Sequence, residues 1–213
     1  MLRQELQKYL DSVFPFPKID TEHSLSGRVT VRFDLLDNDE AELEDKAKSA
    51  TERSLLIFND LFDNIDNIIW FLSYDYVDDN FFPPSDYIYK QFHTSDLKEF
   101  YCEIETVNSR TFITGTDRFK QVKAKITIGR SPVKSVDIRN ILSGIANRDN
   151  GLEPVITQST YFFDSDQKIG FHMHDDRGCY IWSDNPSRIR HIYNNRVKWI
   201  NKLEMEDVKQ HFT

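Results

Sequence analysis

Ile68-Ile69-Trp70-Phe71-Leu72-Ser73-Tyr74 is apolar on both faces and built almost wholly of strand formers. Such a run reads as a strand covered from two sides, at the centre of a sheet. Its apolar part, Ile68 to Leu72, is the longest in the chain and falls far short of the ~20 residues a membrane helix needs. Upstream, Glu40 to Phe62 places Leu43, Ala47, Ala50, Leu55, Phe58 and Leu61 at a helical period, with acidic residues in the first turn where the helix dipole favours them. Before that helix, Arg28 to Leu35 alternates: Val29, Val31 and Phe33 against Arg28, Thr30, Arg32 and Asp34, the pattern of a half-buried strand. Leu2, Leu6, Tyr9, Leu10 and Val13 predict an N-terminal helix over 1–14, stopped before Pro15 and Pro17.

Downstream, Asp75 to Asp86 carries Asp78-Asp79-Asn80, Phe81-Phe82 and Pro83-Pro84, and reads as a long loop. A short helix at Ser95 to Phe100 is expected to lead into strands at Tyr101 to Thr106, Thr111 to Thr114 and Arg118 to Ile128. In the last of these Val122, Ala124, Ile126 and Ile128 alternate with Lys123, Lys125 and Thr127. A helix follows from Val133 to Asn147, buried through Val136, Ile141, Leu142 and Ile145, with Asn147, Asn150 and Gly151 suited to a left-handed stop. Val155 to Phe163 and Lys168 to His174 read as strands. No repeat or linker divides the chain, and helices and strands do not alternate as in a doubly wound sheet. The expectation is one α+β domain over 1–213, an antiparallel or mixed sheet with helices packed mainly on one side.

The charged N-terminus, Met1-Leu2-Arg3-Gln4-Glu5-Leu6-Gln7-Lys8, lacks the apolar core of a secretory signal, and the two cysteines, Cys102 and Cys179, are too few to staple a secreted scaffold. A cytoplasmic protein with reduced thiols and no membrane contact is expected. The net charge of −8 is uneven: residues 1–90 hold 9 Lys/Arg against 19 Asp/Glu, and residues 91–213 hold 18 against 16. An acidic first part repels nucleic acid and attracts basic proteins.

His172-Met173-His174-Asp175-Asp176-Arg177-Gly178-Cys179-Tyr180-Ile181-Trp182 reads as strand, tight turn, strand, with an aspartate bonding local amides and Gly178 offering positive φ. Asn185 suits an N-cap and Pro186 the first turn of a last helix through Ile189, Ile192, Tyr193, Val197, Trp199, Ile200 and Leu203. Together with Arg32-Phe33-Asp34-Leu35, Ile141 to Gly151 with its Asn-Arg-Asp-Asn-Gly ending, and Phe162-Phe163, the Asp-Asp-Arg-Gly hairpin and the Tyr193 to Trp199 helix make the chain resemble a bacterial family, domain of unknown function 3885, found largely in Bacillus-like Firmicutes. The resemblance covers 28–203. It implies a bacterial cytosolic protein, no established activity, and a link to prophage DNA-binding proteins. His174 stands where the family's pattern leads one to expect a plain aromatic.

Four kinds of chemistry compete. His172 and His174, two apart on a strand, with Asp176 form a His-x-His-x-Asp pattern that a metal-dependent hydrolase would use, although Arg177 stands where such enzymes place a further histidine. The bland reading is a structural turn, with Arg177 bridging an acidic neighbour and Asp175 capping. Cys179 is a candidate nucleophile only if a histidine across the hairpin lowers its pKa, and otherwise a small hydrophobe. Arg188, Arg190 and Lys198 make the last helix basic enough to contact nucleic acid, against the global acidity. The favoured expectation is a non-enzymatic interaction module, an immunity or antitoxin type, meeting a basic protein through Asp39, Glu40, Glu42 and Glu44 with Phe81 and Phe82. No catalytic set, cofactor or metal is expected on this reading.

Overall fold

The computed structural model describes residues 2–13, 19, 28–36, 42–77, 85–93, 100–113 and 116–213, with the side chains of 13, 109–113 and 116–120 left aside. Among the described residues, seven strands form one open sheet: β1 (Val29–Asp34), β2 (Ile68–Tyr76), β3 (Phe100–Ile113), β4 (Thr116–Pro132), β5 (Ser159–Asp164), β6 (Ile169–Asp175) and β7 (Gly178–Ser183). Their order is β1-β7-β6-β5-β2-β4-β3, and every pairing is antiparallel. The helices are α1 (Leu2–Val13), α2 (Leu43–Leu61), α3 (Ile138–Asn150), α4 (Pro186–Arg196) and α5 (Met205–Gln210). The chain is thus α+β, with an all-antiparallel sheet.

β2 lies between β5 and β4, and its Ile69 and Phe71 enter one core while Trp70, Leu72 and Tyr74 enter the other. That two-sided burial is what the unbroken apolar run requires. One face carries α2, α3, α4 and α5 over Phe162, Phe171, Met173, Cys179 and Ile181. Phe58 of α2 meets Phe162 and Phe171 edge-on, with ring centroids 5.5 and 5.3 Å away. The opposite face is covered by α1 through Leu2, Leu6, Tyr9 and Leu10, packed with Val107, Ala124, Ile126, Ile128, Phe163 and Trp182. Helices therefore sit mainly on one side.

Several boundaries depart from expectation. The strands expected at Tyr101 to Thr106 and Thr111 to Thr114 are one strand, β3, paired with β4 from Phe100↔Gly129 to Ile113↔Thr116. The polar Asn108-Ser109-Arg110 does not interrupt it, because the ladder with β4 continues through all three. Asp75 and Tyr76 extend β2 against Lys125 and Ala124, and Asp86 precedes a 3-10 turn, Tyr87–Gln91, so less of that stretch is loop. Residues 78–84 lie outside the described residues, as does the helix expected at Ser95 to Phe100 except for Phe100, which opens β3. α3 begins at Ile138, after a 3-10 turn at Val133–Ser135, because the Asp137 carboxylate accepts from the Asn140 amide and caps the helix there. Gly151, at φ 67°, supplies the left-handed stop.

At the C-terminal end, Asn185 accepts from the Ser187 amide and Pro186 opens α4 as expected. The helix stops at Arg196, not near Leu203, because Ile200 forms an antiparallel bridge to Phe33 and the Asn201 amide donates to the Arg32 carbonyl at 2.9 Å. Sheet contact there displaces the helical period, and Leu203 is left 93% exposed. No helix among the described residues is long and apolar enough to cross a membrane.

Candidate functional site

The β6–β7 turn and the last turn of α3 are distant in sequence and adjacent in space. The Asp175 carboxylate accepts from the Arg177 amide and from Arg177 Nε, both at 2.8 Å, and is also paired with Arg177 Nη2. Arg148 Nη2 donates to the His174 carbonyl at 2.8 Å, and Asn150 Nδ2 donates to Asp176 Oδ2 at 2.9 Å. The Leu35 amide donates to the Arg177 carbonyl at 2.9 Å, tying the turn to the end of β1. Two stretches singled out for the family resemblance, 147–151 and 175–178, thus form one bonded unit.

Gly178 does not take positive φ; Gly151 is the described glycine that does. The close neighbours explain the residue instead: a Cβ at 178 would stand 2.7 Å from His174 Cε1 and 3.1 Å from the Phe33 carbonyl oxygen. Asp175 is buried, which pushes its carboxyl up, but the hydrogen bonds from Arg177 and the nearby positive charges outweigh this and hold it below the usual carboxylate range. For His174, burial comes first and lowers the imidazole; Asp175 opposes, and Arg32, Arg177 and Arg148 add to the lowering. His174 is therefore neutral near pH 7, with Nε2 3.3 Å from Asp175 Oδ1 and its buried Nδ1 without a partner among the described residues.

The His-x-His-x-Asp pattern does not converge. His172 and His174 share a face, but the His172 ring stacks on Tyr161 at 4.0 Å with Nδ1 2.8 Å from the Thr160 carbonyl, and Asp176 turns to Asn150. Among the described residues, the side chains whose ligand atoms gather within 4.8 Å are Asp149, Asp175 and Asp176, without either histidine. Arg177 and Asn150 already satisfy two of these three carboxylates. Cys179 is fully buried in the helix-covered core, and that burial drives its thiol far above the usual range, so it packs as a small hydrophobe. Cys102 lies exposed on β3, and both cysteines are free.

The basic residues of the C-terminal region are largely engaged within the chain. Arg188 pairs with Asp184 at 2.9 Å, Arg190 donates to the Phe212 carbonyl, and Arg196 pairs with Asp60 at 2.9 Å. Lys198 is exposed. Arg53 and Arg196 each place a guanidinium 4.9 Å from the Trp199 ring centre. On the acidic side, Glu42 precedes α2 without capping it, and Glu42, Leu43, Glu44 and Asp45 are all exposed. Asp39, Glu40, Phe81 and Phe82 lie outside the described residues. A groove of about 470 Å³ runs beside this turn between α2 and α3, bordered by Glu44, Lys48, Glu52, Arg139 and Glu153.

Arg148, Asp149 and Asn150 were not legible as partners of the hairpin, since their spacing signals only a helix end. Arg32 and Asp34 read as the solvent side of an ordinary strand, and no local signal places them beside Arg177.

A family model described as domain of unknown function (DUF3885) matches residues 6–204. No curated protein and no solved structure matches the chain. A match over so much of the chain, including both the hairpin and the α3 ending, shows that it belongs to the DUF3885 family.

Proposed function

We propose that the chain is a non-enzymatic cytoplasmic interaction module that receives a basic segment of a partner protein at the start of α2, as an immunity-type inhibitor or regulator would. The observation that carries this reading is Leu43: it is 51% exposed and flanked by the exposed carboxylates of Glu42, Glu44 and Asp45. An apolar anchor within an acidic rim suits a cationic partner, with the charge steering encounter and the buried leucine slowing release. The adjoining groove adds Glu44, Glu52 and Glu153 against Lys48 and Arg139; with Glu52 and Arg139 paired to each other, Glu44 and Glu153 face Lys48. The absence of reaction from this reading is supported by the state of the chemistry-bearing side chains: Asp175, Asp176 and His172 are bonded within the chain and Cys179 is sealed in the core.

The test is purification from native lysate with protein, nucleic acid and metal assayed in one eluate, repeated with a Glu42→Lys, Glu44→Lys, Asp45→Lys variant. A stoichiometric basic protein that the variant loses supports the proposal. A basic partner held equally by the variant, or nucleic acid released by Arg188→Ala, overturns it.

A further inference from the structure

Where β1 ends, Arg32, Arg177 and Lys202 border an open pocket of about 430 Å³, together with Asp34, Asn201 and two leucines, Leu36 and Leu203. We infer that this pocket binds an oxyanion, the phosphoryl or carboxylate head of a small ligand whose apolar remainder lies against Leu36 and Leu203.

The cations come from three separate segments: β1, the β6–β7 turn and the stretch after α4. Those segments are fixed to one another by backbone bonds, Leu35 to the Arg177 carbonyl and Asn201 to the Arg32 carbonyl, each 2.9 Å, so the segments that carry the positive groups are joined before any ligand arrives. Arg177 is oriented by Asp175 through Nε and Nη2, and its side chain remains 69% exposed. A guanidinium anchored on one edge keeps its other edge for a second acceptor, and among the described residues no bond of its Nη1 competes. Arg32 lies with its guanidinium carbon 5.9 Å from the Tyr180 ring centre, and its buried Nε has no acceptor among the described residues.

Asp34 is the carboxylate in the lining, and its Oδ1 already accepts from Asn201 Nδ2 at 2.8 Å. Glu204 is coupled to Arg32 from outside the lining. Three cations thus face one carboxylate in the lining itself, with the Asp175 carboxylate behind Arg177 offsetting part of that charge. This pocket is separate from the acidic start of α2, and its ligand has the opposite charge to the partner proposed there.

The test is a titration of the isotope-labelled full chain with phenyl phosphate, benzoate and inorganic phosphate at low ionic strength, followed by amide chemical shifts. Saturable shifts confined to 32–36, 177–178 and 201–203 are expected, with Lys202→Ala weakening binding several-fold and Arg32→Gln about tenfold or more, in line with charge-assisted bonds. Lys202 is exposed, so its variant keeps the test sound should Arg32→Gln fail to fold. Stronger binding of phenyl phosphate than of benzoate assigns a phosphoryl head, and the reverse a carboxylate. Inorganic phosphate binding as tightly as phenyl phosphate, with benzoate inert, overturns the apolar half of the inference. No saturable shift at those positions, or equal weakening by the distant Arg188→Ala, overturns the site itself.

Discussion

The β6–β7 and β3–β4 hairpins arise from the same alternation of apolar and polar residues, yet they hold to the molecule in different ways. In β6–β7, of seven and six residues, Phe171, Met173, Cys179 and Ile181 are buried beneath the helices, and the turn is bonded to both α3 and the end of β1. In β3–β4, of 14 and 17 residues, Val107, Ala124, Ile126 and Ile128 are covered on the α1 side, while Phe100 and Ile104 stand 39% and 63% exposed on the other. A period of two specifies a strand; what covers each face is decided by elements far away in the chain.

The largest separation of the two hairpins should come from truncating their apolar residues. Phe171→Ala is expected to cost about 3–5 kcal/mol and Ile104→Ala to stay within about 0.5 kcal/mol, measured by urea unfolding. Similar costs would erase the contrast. Next, Gly178→Ala must push His174 or the Phe33 carbonyl aside and should cost about 1–3 kcal/mol, with the crowding visible as shifted amide resonances around residues 33 and 174.

The pH dependence sharpens the comparison further, since the bonded turn carries shifted groups. His174 has a folded pKa below its ordinary 6.5, so the unfolded chain takes up a proton first: its contribution is complete above 6.5 and declines as pH falls through the folded value. Asp175, also lowered, contributes above its ordinary 3.8 and loses that contribution at still lower pH. His174→Phe should therefore flatten the stability profile just below pH 6.5 and leave the loss below pH 3.8, as read from unfolding midpoints across pH. A variant profile parallel to the wild type would show that the imidazole does not titrate with folding. The smallest effect belongs to the long hairpin: Arg3 pairs with Glu105 at 2.6 Å in a partly exposed setting, so Arg3→Ala should cost no more than about 1 kcal/mol and less in high salt.

The same contrast explains what the sequence reveals. β2 was legible because burial on two sides leaves no polar alternation, and β1 because Val29, Val31 and Phe33 face one core. The continuity of β3 was not, since Asn108-Ser109-Arg110 resembles a turn until β4 pairs with it. The end of α4 was hidden because Ile200 and Leu203 fit a helical period, and β1 draws Ile200 and Asn201 out of it. At the candidate sites, the Asp175–Arg177 contact is local and readable from spacing two apart. The meetings of Asp176 with Asn150 and of Arg32 with Arg177 depend on strand order and carry no local mark.

The bridge of Ile200 and Asn201 onto β1 also bears on how the sheet could be extended. It occupies backbone groups on the outer margin of β1, while the other margin, β3, has no strand beyond it among the described residues. A sheet obstructed at one margin can lengthen in one direction only. Two chains meeting edge to edge through β3 would each turn outward the margin on which Ile200 and Asn201 already bond to Phe33 and Arg32, where a further strand would have to displace them.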